Sequence, residues 1–98
     1  MVQYEEQAVL VSIQGVNFDE LFPLEDLLAK SLENTGLGEF DGNEVGQGET
    51  TLFLYGPDAE KLFEHIRPIL METPVCKHGK AIIRYGKPGA SSRSVSLN

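Results

Sequence analysis

Apolar residues recur along the chain with two different periods, one typical of strands and the other typical of helices. The two most apolar short runs are residues 8–14 and 50–55, which indicates strands near the middle of a sheet. A less regular strand is predicted over residues 38–41, resuming near Val45, and a last one over residues 81–85. The pattern therefore predicts four strands.

Two amphipathic helices separate these strands. The first is predicted to begin near Pro23, because proline suits the first turn, and its apolar stripe consists of Leu24, Leu27, Leu28 and Leu32. The second is predicted to begin after Asp58, and Pro68 within it predicts a kink or an early end. Asp41-Gly42, within the region of the second strand, is a strong tight-turn signal, and a turn or bulge after Val45 is predicted to lead into the third strand.

The order of these elements is β-α-β-β-α-β, which predicts an α+β domain with the ferredoxin-like plan. In that plan a four-stranded antiparallel sheet carries two helices on one face, and the first and third strands are the inner ones. Residues 1–86 are predicted to form this single domain. Residues 87–98 are rich in serine and lack apolar periodicity, so they are predicted to be a disordered tail.

Composition limits the classes of protein that this chain can represent. Its 98 residues correspond to one domain, and a hydrophobic fraction of 41% is enough for one core. With a single cysteine, Cys76, the chain can form no internal disulfide. The first residues resemble no secretory signal, and no apolar run approaches the ~20 residues that cross a membrane. A soluble cytoplasmic protein without membrane contact is the expectation.

The formal net charge of −7 is distributed unevenly along the chain. All 15 acidic residues lie at or before Glu72 together with three bases, giving 3 − 15 = −12, and the five remaining bases follow it. This separation of acidic and basic residues either only keeps the protein soluble, or it selects a charged protein partner. An acidic body would repel phosphates, so a nucleic acid is not an expected partner.

The candidate metal ligands do not have the number or the spacing of a known metal site. The acidic segment over residues 39–49 offers oxygen ligands, yet its spacing does not match a calcium-binding loop, and a solvated turn explains it as well. Cys76 and His78, with His65, give at most three zinc ligands where a structural site needs four. Cys76 is either a loop cysteine or, beside Lys77 and His78, a thiol of lowered pKa. No catalytic residue, metal or cofactor is predicted.

The second face of the predicted sheet has no helix to cover it. If Leu52 and Leu54 face the helices, Phe53 and Tyr55 face outward, and with Tyr85 they would form an exposed aromatic patch. Such a patch indicates a dimer or partner interface. The alternative is the reverse orientation, with these aromatic residues in the core, because alternation fixes the period but not the direction.

A set of turn and cap residues resembles a group of small uncharacterised bacterial proteins. The resemblance covers about half of the chain and carries no functional residues. Its motifs here are Asp41-Gly42-x-Glu44-x-Gly46-x-Gly48-Glu49, Leu54-Tyr55-Gly56-Pro57-Asp58-Ala59, Ile69 with Leu70, and Arg84-Tyr85-Gly86-x-Pro88-Gly89.

Two classes of function remain after these exclusions. The first is a non-enzymatic interaction module that binds itself or a protein partner through the sheet face or the acidic segment, a description that immunity or inhibitor proteins also fit. The second is a small enzyme or a ligand- or metal-binding domain that uses the acidic segment with Tyr55 or Tyr85. The candidate interaction residues are Glu39, Asp41, Glu44, Glu49, Phe53, Tyr55 and Tyr85.

Overall fold

The structure, a computed structural model, describes residues 7–15 and 18–97. It is an α+β fold with two helices and one antiparallel sheet of five strands. No helix within the described ranges is both long and apolar enough to cross a membrane. In chain order the elements are β1 (Gln7–Gln14), α1 (Phe18–Leu32), β2 (Glu39–Gly46), β3 (Glu49–Gly56), α2 (Ala59–Glu72), a 3₁₀ turn (Pro74–Cys76), β4 (Lys80–Arg84) and β5 (Ser92–Ser96).

The strands lie in the order β2-β3-β1-β4-β5, and every neighbouring pair is antiparallel. Val9 on β1 pairs with Leu54 on one side and with Ile83 on the other. The expectation that the first and third strands are inner strands is therefore confirmed. The expected number of four strands is wrong, because a fifth strand extends the sheet beside β4.

This fifth strand lies in the segment predicted to be a disordered tail, so that prediction is wrong for residues 92–96. Val95 pairs with Ala81 and packs against the core, and Leu97 is only 4% exposed. The Leu97 N–H also donates to the Gly79 carbonyl at 3.0 Å. The strand forms because β4 offers a free edge of main-chain donors and acceptors, which a serine-rich segment can satisfy without a hydrophobic pattern.

One hydrophobic core fills the space between the sheet and the two helices. The strands contribute the residues on one face only, as period-two alternation requires. From the sheet the core includes Val9, Val11, Ile13, Leu52, Leu54, Ala81 and Ile83, and from the helices it includes Leu21, Leu24, Leu28, Leu32, Ala59, Leu62, Phe63, Ile66 and Leu70.

Both helices are longer than the sequence predicts from Pro23 as a start and Pro68 as a kink or early end. The helix α1 begins at Phe18, five residues before Pro23, and α2 continues through Pro68 to Glu72. Each proline lacks one main-chain donor, which costs a helix stability. Both prolines are exposed, and buried leucines on the opposite side of each helix, such as Leu70 in α2, hold the backbone in place. Packing therefore outweighs the lost hydrogen bond.

The hairpin between β2 and β3 turns after Val45, where a turn or bulge is predicted to lead into the third strand. Its two turn residues are Gln47 and Gly48, both with positive φ (54° and 79°), as a type I′ hairpin requires. The predicted turn at Asp41-Gly42 is instead a bulge, where the register shifts between Phe40 and Gly42. The two parts of the predicted second strand are thus one strand with an extra residue.

Two glycines permit a close backbone crossing where β2 begins. A Cβ on Gly56 would overlap the carbonyl oxygen of Leu37, and a Cβ on Gly38 would overlap that of Tyr55. Gly38 also has a φ of +149°, outside the range that side chains favour. The chain can therefore pass from α1 into β2 only with glycine at these positions.

Candidate functional site

The sheet has one face that the helices do not cover, called the open face below. An apolar row crosses its centre: Leu10 on β1 pairs with Phe53 on β3 and with Ile82 on β4. All three side chains are half-buried, whereas their neighbours on the helix side are fully buried. Since cross-strand partners lie about 5 Å apart, the three side chains form one continuous apolar surface.

Of the two orientations that the sequence leaves open, Phe53 and Tyr55 adopt the outward one, because Leu52 and Leu54 are buried against the helices. The inclusion of Tyr85 in the same patch is wrong. It follows β4 on the side of the buried Ile83, and its hydroxyl donates to the Glu60 carboxylate of α2. The exposed patch therefore lacks Tyr85.

Residues that the sequence analysis did not select complete the apolar row. Leu10 was hidden because β1 is apolar on both faces, so its two sides cannot be told apart from the sequence. Ile82 alternates with the buried Ala81 and Ile83, which is the signal that places it outward.

Acidic residues line one side of the open face. Glu39 and Glu44 on β2 pair with Tyr55 and Thr51 of β3, and Glu49 lies at the start of β3 on the same face. The Glu49 carboxylate accepts hydrogen bonds from Ser12 Oγ at 2.7 Å and Gln14 Nε2 at 3.3 Å. Three of the four predicted acidic residues thus share a surface with the aromatic residues.

The fourth acidic residue, Asp41, lies in the bulge of β2 and is exposed. It is the extra residue between Phe40, which packs against the core, and Gly42, which pairs with Phe53. Its position is set by the bulge and not by the alternation of the strand.

Basic residues line the opposite side of the open face. On β4, Lys80 pairs with Ser12 and Arg84 pairs with Ala8, both on the central strand. Arg84 Nε donates to the Gly86 carbonyl at 2.7 Å, which holds the guanidinium near the end of the strand. Within the described ranges the ion pairs are Asp26–Lys30 and Glu60–Arg93, which leaves the charges of the open face without ion-pair partners.

The acidic side also borders a concavity of about 430 Å³ beside the β2–β3 hairpin. Glu44 and Glu49 line it together with Gln14, Val45 and Thr51. Tyr55 does not line it, and no group of three possible metal-binding side chains occurs in the described part of the chain. The groups with shifted pKa values lie elsewhere, on the helix side of the sheet.

A polar cluster on the helix side fixes β5 to α2. Arg93 donates to both carboxylate oxygens of Glu60 at 2.8 Å, and Tyr85 donates to one of them. These two donors, Arg93 first, lower the pKa of Glu60 to about 2. The bond to Glu60 raises the pKa of Tyr85. The cluster is explained by its structural role, because it joins the last strand to a helix.

The three residues considered as zinc ligands, Cys76, His65 and His78, do not lie together in the structure. Cys76 is fully buried in the 3₁₀ turn and belongs to the core. His65 Nε2 lies 2.8 Å from the carbonyl oxygen of Ser31 and links the two helices, whereas His78 is an exposed turn residue with a φ of 72°. The hypothesis of a lowered thiol pKa is wrong, since burial raises the pKa of Cys76 to about 11.

Cys76 is accordingly expected to resist alkylation in the folded protein. A pKa of about 11 leaves about 0.1% thiolate at pH 8, roughly 100-fold less than an ordinary thiol, and the sulfur is also inaccessible. Iodoacetamide labelling followed by mass spectrometry would measure this, with the urea-unfolded chain as the reactive control. Rapid stoichiometric labelling of the native protein would contradict the buried position.

Comparisons with known proteins identify no relative of this chain. No family model matches it, and neither curated proteins nor solved structures contain a significant match.

Proposed function

We propose that this chain is a non-enzymatic interaction module that self-associates through the open face of its sheet. The observation that supports this most directly is the apolar row of Leu10, Phe53 and Ile82 across three adjacent strands. The row lies between an acidic and a basic side on a ferredoxin-like core, to which β5 adds one strand. Apolar centres with charged surroundings are typical of protein interfaces.

The dimensions of the open face suit a small interface. Five strands about 4.8 Å apart, three of eight residues and two of five, give a surface of roughly 540 Å². Two such faces would bury about 1,100 Å² in total, which is close to the lower limit for specific complexes. We therefore expect a dimer that dissociates at low concentration.

The charges on the open face favour a second copy of this chain as the partner that binds there. The face carries Glu39, Glu44 and Glu49 on one side and Lys80 and Arg84 on the other, so each side has its complement on another copy. A two-fold dimer uses the same patch on both subunits, and such a patch must be self-complementary. A nucleic acid would be repelled by the acidic side.

Phe53→Lys is expected to raise the dissociation constant of the dimer by about 30-fold, the effect of losing one strong interface residue. The substitution places a charge in the centre of the apolar row, where the partner would desolvate it. Sedimentation velocity over a concentration series measures this change. Circular dichroism of the variant checks that the fold is retained.

Phe22→Lys is the matched control. Phe22 is 58% exposed and lies on α1, away from the open face. Its replacement changes the net charge and the number of aromatic residues by the same amount as Phe53→Lys does. We expect the control to associate as the wild type does. A wild type that stays monomeric throughout, or equal effects of the two substitutions, would overturn the proposal and leave binding of a different protein, as in immunity or inhibitor proteins, as the explanation for the face.

The alternative function, an enzyme or a ligand-binding domain, has one supporting observation, which is the concavity that Glu44 and Glu49 line. Glu44 and Glu49 are the two carboxylates that line it, and no group of three possible metal-binding side chains occurs among the described residues. Glu49 already accepts two hydrogen bonds from β1. The concavity therefore supports the alternative less well than the apolar row supports association.

A further inference from the structure

We infer that the two copies associate about a two-fold axis parallel to β1, so that the acidic side of each open face lies against the basic side of the other. This inference rests on the proposed self-association and adds the orientation of the partner and the residues that select it. A two-fold axis that brings two sheet faces together must lie in the plane between them. In aligned packing, where the strands of the two sheets stay within about 30° of each other, the axis runs either close to the strand direction or close to the perpendicular to it.

Three rows of the open face cross all five strands, and a fourth row, which contains Glu49, crosses only β2, β3 and β1. The central row is the apolar one, with Leu10 in the middle strand. The row on one side of it consists of Glu39, Tyr55, Ala8, Arg84 and Ser92, and the row on the other side consists of Glu44, Thr51, Ser12, Lys80 and Ser96.

An axis across the strands would exchange the two outer rows and leave each strand opposite its own copy. Glu39 would then lie against the partner's Glu44, and Arg84 against the partner's Lys80. Like charges placed opposite each other in a partly desolvated interface oppose association. This orientation is therefore disfavoured at both sides of the face.

A two-fold axis parallel to the strands places each row opposite the same row of the partner. It also places the acidic side of one copy opposite the basic side of the other. The strand β3 then lies against the partner's β4, so that Phe53 meets the partner's Ile82 and Leu10 meets the partner's Leu10. The apolar row is thus buried along its whole length. This burial is the same for both axes, so the charges decide between them.

The charged rows become complementary in this second orientation. The partner's Arg84 comes over Tyr55, where a guanidinium can stack on the ring, and Glu39 is the next residue in that row. The partner's Lys80 comes over Thr51, next to Glu44. Packed sheets cross at about 30°, so the rows do not superpose, but the long charged side chains span the offset.

Glu39→Gln together with Glu44→Gln tests this orientation, because both side chains are at the surface and make no hydrogen bond or ion pair in the described part of the chain. We expect the double variant to dissociate about tenfold more readily than the wild type, the result of losing two ion-pair contacts on each copy. Sedimentation measures this effect.

Glu33→Gln with Glu72→Gln is the matched control, since it removes the same charge from exposed positions outside the open face. We expect no weakening in this control, because it lowers only the general repulsion between two acidic copies. If the Glu39 and Glu44 variant associates more tightly than the control, the axis runs across the strands and the inference is overturned while self-association stands. A monomeric wild type overturns the proposed function itself.

A charge exchange gives a second and independent result. Glu44→Lys alone and Lys80→Glu alone should each weaken the dimer, since both place like charges together between the copies. The two substitutions combined should restore association, because the opposite charges meet again with their sides exchanged. A combined variant that is as weak as either single variant would overturn the inferred orientation.

Discussion

Gly56→Ala is expected to destabilise the protein by about 3 kcal/mol or more, a large part of the ~5–15 kcal/mol that stabilises a domain. Its Cβ would overlap the carbonyl oxygen of Leu37, so either β3 or the start of β2 must move. Neither can do so cheaply, because Gly56 is fully buried beside Leu54. A backbone carbonyl, unlike a side chain, has no alternative rotamer.

Gly46→Ala is the control for this substitution. Gly46 lies in the adjacent strand β2 with an ordinary φ, and a Cβ there would meet nothing within 4 Å. We expect its effect to be small, and slightly stabilising if alanine restricts the unfolded chain. Urea unfolding of both variants measures the difference, and equal stabilities would show that the close crossing of the two strands is not present in solution.

Leu97→Ala is expected to lower the free energy of unfolding by about 3 kcal/mol. The side chain is 4% exposed and belongs to the core, although it lies one residue beyond the last strand. Truncation to alanine would leave a cavity between β5 and the core. Thermal unfolding followed by circular dichroism would detect a decrease in Tm of roughly 10–20 °C.

Leu27→Ala provides the comparison, since it makes the same chemical change at a leucine of α1 that is 50% exposed. We expect it to cost less than about 1 kcal/mol. If Leu97→Ala has no more effect than Leu27→Ala, the end of the chain is not ordered as described. That result would restore the expectation of a disordered tail.

The sequence predicted those parts of the fold in which side chains carry the signal. The apolar runs around Val9 and Leu54 identified two neighbouring inner strands, and Asp58 marked the start of α2, where its carboxylate accepts from the Lys61 N–H at 3.2 Å. The strand β5 was missed because main-chain pairing with β4 forms it, and in this end of the described chain the apolar contacts with the core come from Val95 and the following Leu97.

The candidate site was predicted in part for a related reason. Alternation around Leu52 and Leu54 correctly placed Phe53 and Tyr55 together on one face, but it left open which face was buried. Tyr85 was assigned to that face although its neighbour Ile83 is a core residue. Lys80 and Arg84 were not selected, because only the register of β4 against β1 brings them opposite the acidic side.

The two outer edges of the sheet have a consequence for the size of any assembly. The edge strand β2 is interrupted by its bulge and carries carboxylates, and the edge strand β5 has five residues, among them Arg93. Short, bulged or charged edges resist pairing with the edge of another molecule. Growth into a fibril by continuous addition of strands is therefore disfavoured, and contact through a single face closes after two subunits.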